Sequence, residues 1–370
     1  MQADRILSIQ SHVVFGYVGG KAAVFPLQCM GYDVDVVNTV NFSNHSGYGR
    51  SGGSKATAAE LKSIFESMEQ NELLLPSRLL TGYIPGAEAL SAVQALAQKL
   101  KNSKPSLLYL LDPVMGDAGR LYVAPDVIPV YREMLPLASI ITPNWFEVEL
   151  LTDIKLRDIQ SLQRALICLH KRYRVPDVVI SSIPLTPWLR DALPKRIQPP
   201  SDNDHLLCLS SSLSGTESNL TQATPSIVHA QCVHLIPGYF SGVGDLFAAL
   251  LLGHFHPNRP TPSEDSTPLS VAVSAALVKT HSLLQFTHEQ SLQLPSEERQ
   301  PSDDELDSAN PLRKTRRMRG RELALIQGQD IIRGKDLDNT SPLKPWDDFW
   351  KSYIPNSVDK SPYVDLDALI

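Results

Sequence analysis

The sequence predicts an α/β fold, a three-layer α/β/α sandwich built on a mostly parallel sheet. Short apolar runs alternate strictly with helical patterns through the first 180 residues, the signature of βαβ units. Crossover helices cover such a sheet on both faces, so its strands can be apolar throughout. Composition agrees: 370 residues, 42% hydrophobic and 20% charged, are enough to bury a sizeable core in a soluble globular protein.

Each element follows in order. "RILSIQS" reads as strand, "GKAAVFPLQCMG" as helix, "YDVDVVNTV" as strand, "TAAELKSIFESMEQN" as helix, "RLLTGY" as strand and "GAEALSAVQALAQKLK" as helix. "SLLYLLDPV" and "ASIITPN" are further strands, "FEVELLT" and "SLQRALICLHKRYR" helices, and "PDVVISSI" a strand. From Pro184 to Pro225 the alternation fails in a stretch rich in Pro, Ser and Thr. There only "HLLCLSS" has strand character, and exposed loop is expected elsewhere. "SIVHAQCVHLI" resumes as strand and leads into "GYFSGVGDLFAAL", residues 238–250. After a loop, "LSVAVSAALVKTHSLLQFTHEQ" has the period of an amphipathic helix.

Residues 295–320 set an acidic half (Glu297, Glu298, Asp303, Asp304, Glu305, Asp307) before a basic half (Arg313, Lys314, Arg316, Arg317, Arg319). Charge blocks of this kind are expected to be disordered, solvated inserts. The basic half also leaves room for nuclear import or an acidic partner. "RELALIQGQDII" has ordered character again, and "WDDFWKSYIP" is aromatic enough to dock on this chain or on a partner. The expected organisation is one domain over 1–294 with a loop-rich insert at 184–225, the charged insert at 295–320, a final element of the domain at 321–333 and a tail at 334–370.

A net charge of −6 gives no reason to expect nucleic acid or an anionic membrane as a bulk partner. Cys29, Cys168, Cys208 and Cys232 lie far apart, with no CxxC pair and no histidine cluster at zinc-ligand spacing, so reduced thiols are expected. "MQADRILSIQS" lacks the basic flank and apolar core of a signal peptide, and no apolar run reads as long enough to span a bilayer. A cytoplasmic location is the expectation, with the nucleus a second one through the basic block.

The chemistry centres on "SGVGDLFAAL". Gly242 and Gly244 flank Val243 just before a helix, whose first amides have no intrahelical partner and favour an anion. Asp245 in that turn reads equally as a helix cap or as a catalyst. Other phosphate-handling motifs fail on spacing. "FGYVGGKAA" has Phe15 where a P-loop needs its first glycine and Ala22 after Lys21, and "GYVGG" misses GxGxxG. Those glycines let a loop approach a ligand or a neighbouring helix. In "LLYLLDPVMGD", Asp112 ends an apolar strand, where ligands of a parallel sheet collect, and Asp117 follows. "IITPNWFEVELL" repeats the geometry with Thr142 at a strand end and Glu147 on the first helical turn. Two strand-end carboxylates beside an anion-binding helix suggest Mg²⁺ held between protein and polyphosphate.

"LSIQSHVVFGYVGGKAAVFPLQCMGYDVDVVNTVNFSNHSGYG", "LTGY", "DPVMGD", "LYV", "IITPNWFEVELL" and "GVGDLFAALLL" resemble the pyridoxal kinases of the ribokinase superfamily. The resemblance runs in order from Arg5 to about Gly253 and resumes weakly to about Ile332; "IQSHVV" and "FSNHSGY" favour the pyridoxal branch over sugar or nucleoside kinases. It implies transfer of the ATP γ-phosphoryl to the 5'-hydroxymethyl of pyridoxal, and also of pyridoxine and pyridoxamine.

By the same resemblance, Asp245 is the base and the amides of Gly242, Val243 and Gly244 form the anion hole, which suits a reaction driven by positioning and charge neutralisation. Asp112 and Glu147 serve Mg²⁺ directly or through water, and Asn144 supports that region. Ser11, Val18, Val40, Phe42, Ser46 and Tyr83 match the vitamin pocket, with hydroxyls for ring substituents and apolar or aromatic faces for the ring. His45 orients its loop. Thr142, Ser181 and Asp117 match positions near phosphate or ions, and Tyr122 with Val123 the flap over the nucleotide. K⁺ would take oxygens from Thr142 and Ser181. A homodimer is implied by resemblance alone.

Val243, Ser46 and Ser181 stand where the family often has threonine, which spares the backbone amides. The flap between Asp117 and Tyr122 is short and the 184–225 segment near the adenine is enlarged. Two rival readings share the fold: a hydroxymethylpyrimidine kinase, and a vitamin-binding or regulatory protein without turnover.

Overall fold

In the computed structural model, the described residues are 4–199, 204–213, 225–334 and 342–353. The first βαβ unit is β1 (Arg5–Val13), α1 (Gly20–Cys29) and β2 (Asp33–Phe42), after which β3 (Gly53–Lys55) folds back antiparallel on β2. A capping box between Thr57 and Glu60 starts α2 (Ala58–Gln70), since each residue satisfies an amide of the other. Then come β4 (Arg78–Thr81), α3 (Ala87–Ser103) and β5 (Leu108–Leu111), followed by a two-stranded hairpin of β6 (Gly116–Asp117) and β7 (Arg120–Leu121). The chain continues through α4 (Val127–Met134), β8 (Ile140–Ile141), α5 (Trp145–Thr152), α6 (Ile159–Ile167) and β9 (Asp177–Pro184).

The second half holds α7 (Pro187–Ala192), β10 (His205–Ser212), β11 (Ile227–His234), α8 (Val243–His254) and α9 (Pro268–Ser291). It closes with α10 (Asp304–Ala309), α11 (Pro311–Arg319), α12 (Gln329–Arg333) and β12 (Lys344–Pro345). The ten-stranded sheet has the order β12-β11-β10-β9-β8-β5-β4-β1-β2-β3. Pairing is parallel from β2 to β9 and antiparallel beyond, at β2–β3, β9–β10, β10–β11 and β11–β12.

The two cores show why the strands are apolar on both faces. Leu7, Leu79, Tyr109 and Leu111 point into the layer packed by α2 to α6. Their neighbours Ile6, Leu80 and Leu110 enter the other, shared with α1, α8 and α9. This alternation is the period of two of a strand, with both faces buried. β1 has β2 on one side and β4 on the other, so strand order reverses there, and the carboxyl ends of β1, β4, β5 and β8 form one rim, where ligands of such sheets collect.

The structure corrects several expectations. The charged segment is not a disordered insert: Arg313 and Arg317, one turn apart on α11, both bond Asp307 of α10, and Arg319 pairs with Glu298. Arg317 first and Arg313 second hold the Asp307 carboxyl down to about 2. Opposite charge blocks thus fold onto each other, where a run of one sign would repel itself. Between 184 and 225, "HLLCLSS" is β10 as expected, while α7 adds a helix whose Leu189 is buried together with Leu193 and Ile197. Residues 200–203 and 214–224 of that insert lie outside the described residues, as does the tail beyond 353.

The aromatic stretch docks on this chain: Trp346, Phe349 and Trp350 are buried, the Trp346 N–H donates to the Val228 carbonyl at 2.8 Å and Trp350 Nε1 to the Ser226 carbonyl at 2.8 Å. All four cysteines are free. α9 is long and apolar enough to cross a membrane by length and composition, contrary to the sequence reading. More than half of its apolar window is buried inside the protein, packed against α8 and β10.

Candidate active site

α8 opens the site. Gly242 is its N-cap at φ 81°, a left-handed conformation that glycine adopts without the Cβ penalty. Its missing side chain also lets the turn approach the link between β1 and α1: a Cβ would stand 2.0 Å from the Tyr17 carbonyl oxygen. Leu246 N–H is the first to bond back, to the Gly242 carbonyl at 3.0 Å, so the amides of Val243, Gly244 and Asp245 are the free first-turn donors. No side chain caps the helix, and open space surrounds Gly244. The helix dipole and these amides favour an anion there.

Asp245 does not cap its own helix. Its Oδ2 accepts the N–H of Gly19, the residue that caps α1, at 2.7 Å. Burial raises its carboxyl above the usual range, and the Gly19 amide partly offsets the rise. Gly19, at φ 55°, can come this close only without a Cβ, which would lie 2.2 Å from Ser11 Oγ. Ser11, the turn at 17–19 and Asp245 are therefore one packed unit. The sequence placed these glycines at a close approach without naming the Gly19 amide as partner of Asp245.

Asp112 follows β5 and is buried, its N–H donating to the Thr81 carbonyl at 3.0 Å. Thr142 Oγ1 donates to its Oδ1 at 3.1 Å. Burial pushes the Asp112 carboxyl well up, and the charges of Glu147 and Asp245 push it further. Glu147 is raised to about 8, chiefly by burial, although three amides oppose the rise. Its Oε1 accepts from Met115 and Gly116 at 2.8 and 3.3 Å, and its Oε2 from Asn144 at 2.9 Å. Asn144 returns the bond as the N-cap of α5 and donates Nδ2 to the Gly116 carbonyl at 2.7 Å. Both Glu147 oxygens are thus already taken by backbone amides, Oε1 at the entry to β6 and Oε2 at the N-cap of α5, which leaves Asp112 as the carboxylate open to direct ligation and Glu147 to act by its charge or through water. No group of three or more His, Cys, Asp or Glu forms a cage among the described residues. This donor set suits Mg²⁺, which takes one or two carboxylates and completes its shell with phosphate and water.

Ser181 N–H donates to the Pro143 carbonyl at 3.2 Å, which sets Ser181 at the same sheet end as Thr142. Asp117 is exposed on the β6–β7 hairpin and bonds the next amide, of Ala118, at 2.7 Å. Tyr122, exposed beyond β7, pairs its hydroxyl with Tyr239 of the α8 approach, and Val123 beside it is half-buried. The hairpin is thus tied to the "GYFSGVGD" loop, a link the sequence did not reveal.

The vitamin-matching residues lie on β1 and β2 and in the turns that follow β1, β2 and β4. Val40 is buried on β2, paired with Lys55, and Phe42 at its end is half-buried, paired with Gly53. Thr39 Oγ1 holds the Tyr83 carbonyl at 2.7 Å, and burial raises the Tyr83 hydroxyl. Val18 is half-buried in the turn between β1 and α1, whereas Ser46 is exposed at the start of a 3₁₀ turn capped by His45. His45 orients this turn, since its ring nitrogen accepts the Gly47 amide at 3.2 Å. Sequence reasoning also missed Glu322, which bonds His45 and Tyr48 from more than 270 residues away. Only the spacing-independent contact reveals it.

A mostly parallel sheet with an open helix N-terminus, a neighbouring carboxylate, and further carboxylates at a strand end and on a first helical turn defines a ribokinase-like small-molecule kinase. A family model described as phosphomethylpyrimidine kinase matches residues 56–193. The chain is 40% identical over 276 residues to a pyridoxal kinase of Arabidopsis thaliana, covering 74% of this chain and 81% of that one. It is 37% identical to the pyridoxal kinase of Homo sapiens, over 76% of this chain and 85% of the relative. The solved pyridoxal kinase of Leishmania donovani with ADP and pyridoxamine superposes with a TM-score of 0.71 at 29% identity, over 92% of this chain and 99% of that one. The chain belongs to the pyridoxal kinase family.

Proposed function

We propose that this chain transfers the γ-phosphoryl of ATP to the 5'-hydroxymethyl of pyridoxal, pyridoxine and pyridoxamine, giving the 5'-phosphates. The observation that carries the reading is Asp245: a half-buried carboxylate of raised pKa, beside the open amides of α8 and not spent on capping them. Asp245 takes the hydroxyl proton as the oxygen attacks the γ-phosphorus, and the bond from that phosphorus to the β-bridging oxygen breaks to release ADP. Amides of the α8 turn receive the charge on the transferred oxygens without reorganising. Leishmania donovani relatives crystallised with ADP and with pyridoxamine or pyridoxine support both substrates.

Mg²⁺ would be held by Asp112, with Glu147 acting through water, and would neutralise charge on the polyphosphate. K⁺ at Thr142 and Ser181, a homodimer and a cytoplasmic location belong to the same reading, as does a kinase domain ending at 321–333. A second reading, phosphorylation of hydroxymethylpyrimidine, is favoured by the family model over residues 56–193. Initial rates of ADP formation with Mg-ATP and each acceptor decide. Faster turnover of pyridoxal supports the reading, and preference for the pyrimidine overturns it.

A further inference from the structure

One carboxylate outside the reacting set joins two loops of the site. Glu322 Oε1 accepts from Tyr48 Oη at 2.7 Å and from His45 Nε2 at 2.9 Å, while Oε2 accepts from the Tyr17 N–H at 2.8 Å. Gly16, at φ 92°, leaves the room: a Cβ there would meet Glu322 Oε1 at 2.5 Å. Burial works to raise the Glu322 carboxyl, yet the donors from His45, Tyr48 and Tyr17 outweigh it and hold it below its usual value. It therefore acts as a charged acceptor of three hydrogen bonds.

The partners lead inward. His45 Nδ1 accepts from the Gly47 N–H at 3.2 Å, so the proton of this ring sits on Nε2 and points at Glu322. The same Nδ1 lies 3.3 Å from Ser241 Oγ, the residue before the Gly242 cap of α8. Tyr17 is two residues from the Gly19 amide that holds Asp245, and its carbonyl is the atom against which Gly242 packs. The segment after α11 thus reaches the vitamin loop, the anion turn and the turn holding the base through one side chain.

We propose that Glu322 is a positioning residue for the phosphoryl transfer: through His45 it fixes the substrate loop against the turn that opens α8, and through the Tyr17 amide it fixes the turn that holds Asp245. The proposal rests on the kinase reading above. Misplacing reacting groups by about 1 Å costs on the order of a hundredfold in rate, so a residue that touches no substrate can still govern turnover.

Glu322→Gln isolates the function because it keeps shape and removes one acceptor. Whichever way the amide turns, its NH₂ faces either the Tyr17 N–H or the His45 Nε2–H. His45 can relieve the second case only by moving its proton to Nδ1, against the Gly47 N–H. The expected result is a loss of roughly ten- to hundredfold in kcat/KM for pyridoxal, with the KM for ATP changed by less than about twofold. In a His45→Ala background the same change should cost less than about threefold, because coupled residues are not additive. A folded Glu322→Gln enzyme with unchanged kcat/KM, or losses that multiply in the double variant, would overturn the proposal.

If Glu322→Gln fails to fold, Tyr48→Phe removes one donor and keeps the ring. A few-fold loss toward pyridoxal at constant KM for ATP then supports the proposal, and unchanged constants overturn it. Calorimetric binding of pyridoxal without ATP separates the two readings. A parent chain that binds but turns nothing over refutes the kinase reading, while weaker binding by Glu322→Gln still supports the positioning role of Glu322 and equal binding overturns it.

Discussion

Replacing Asp245 with asparagine separates catalysis from architecture at a single atom. The Asn side chain still offers an oxygen to the Gly19 N–H now held at 2.7 Å, so the packed unit of Ser11, the 17–19 turn and α8 persists. Folding stability should hold or rise, because burial already disfavours the charged carboxylate and the amide carries no charge. Asp112, whose carboxyl is pushed up partly by the Asp245 charge, should titrate at lower pH in the variant. The amide cannot take the hydroxyl proton. A positioned base contributes about 10²- to 10⁴-fold, equivalent to roughly 2.7–5.5 kcal/mol of barrier. The assay is the initial rate of pyridoxal phosphate formation at saturating Mg-ATP, with thermal melting in parallel. A normally folded variant within about threefold of the parent rate would refute the assignment of Asp245 as base, since no general base contributes so little.

Three further outcomes follow from the geometry. Val243→Thr should change kcat by less than about threefold, because the anion site is made of backbone amides; much faster turnover would show that the side chain takes part. Asp177 is buried with Ser212 Oγ on its Oδ1 at 2.5 Å, and burial pushes its carboxyl up to about 7. The folded state then holds a proton that the unfolded chain has lost above about pH 4, so stability falls as pH rises through 7. Asp177→Asn should remove this slope, gaining melting temperature over the parent at pH 8 but not at pH 4. Trp350→Ala should destabilise by about 3–5 kcal/mol, the range for a buried tryptophan, and lower the denaturation midpoint, because the indole is 6% exposed and donates to the Ser226 carbonyl.

What the sequence made legible had a local cause. Alternating apolar runs and helical periods yielded β1, β2, β4, β5, β8 and β9 because doubly covered strands and amphipathic helices write their burial into contiguous residues, whereas the short β3, β6 and β7 and the helix α4 carried no such signal. The GxGD turn was readable for the same reason, since Gly242, Gly244 and Asp245 act within one helical turn. Asp112 and Glu147 were found at strand and helix ends, but the sequence could not tell which was free: both Glu147 oxygens are taken by backbone amides of Met115, Gly116 and Asn144, which carry no side-chain signal. The Gly19 amide was hidden likewise, as every residue but proline has one.

The misses in fold share a cause. α10 and α11 read as a solvated insert because their stability lies in the pairing of Asp307 with Arg313 and Arg317, a tertiary contact between blocks that look repulsive apart. α9 reads as an amphipathic helix with no run long enough to span a bilayer, yet its length and composition suit a span, and its burial against α8 decides its role. Glu322 sits in the link between α11 and α12, and its three donors come from the first fifty residues.

The central claim is that the open turn of α8 and Asp245 phosphorylate a pyridoxal hydroxymethyl group. The most direct test compares ADP release from Mg-ATP by the purified chain with pyridoxal, with hydroxymethylpyrimidine and with neither. The account predicts ADP and pyridoxal 5'-phosphate appearing in equal amounts, fastest with pyridoxal and lost with Asp245→Asn. ADP release independent of pyridoxal, or faster with the pyrimidine, would contradict it.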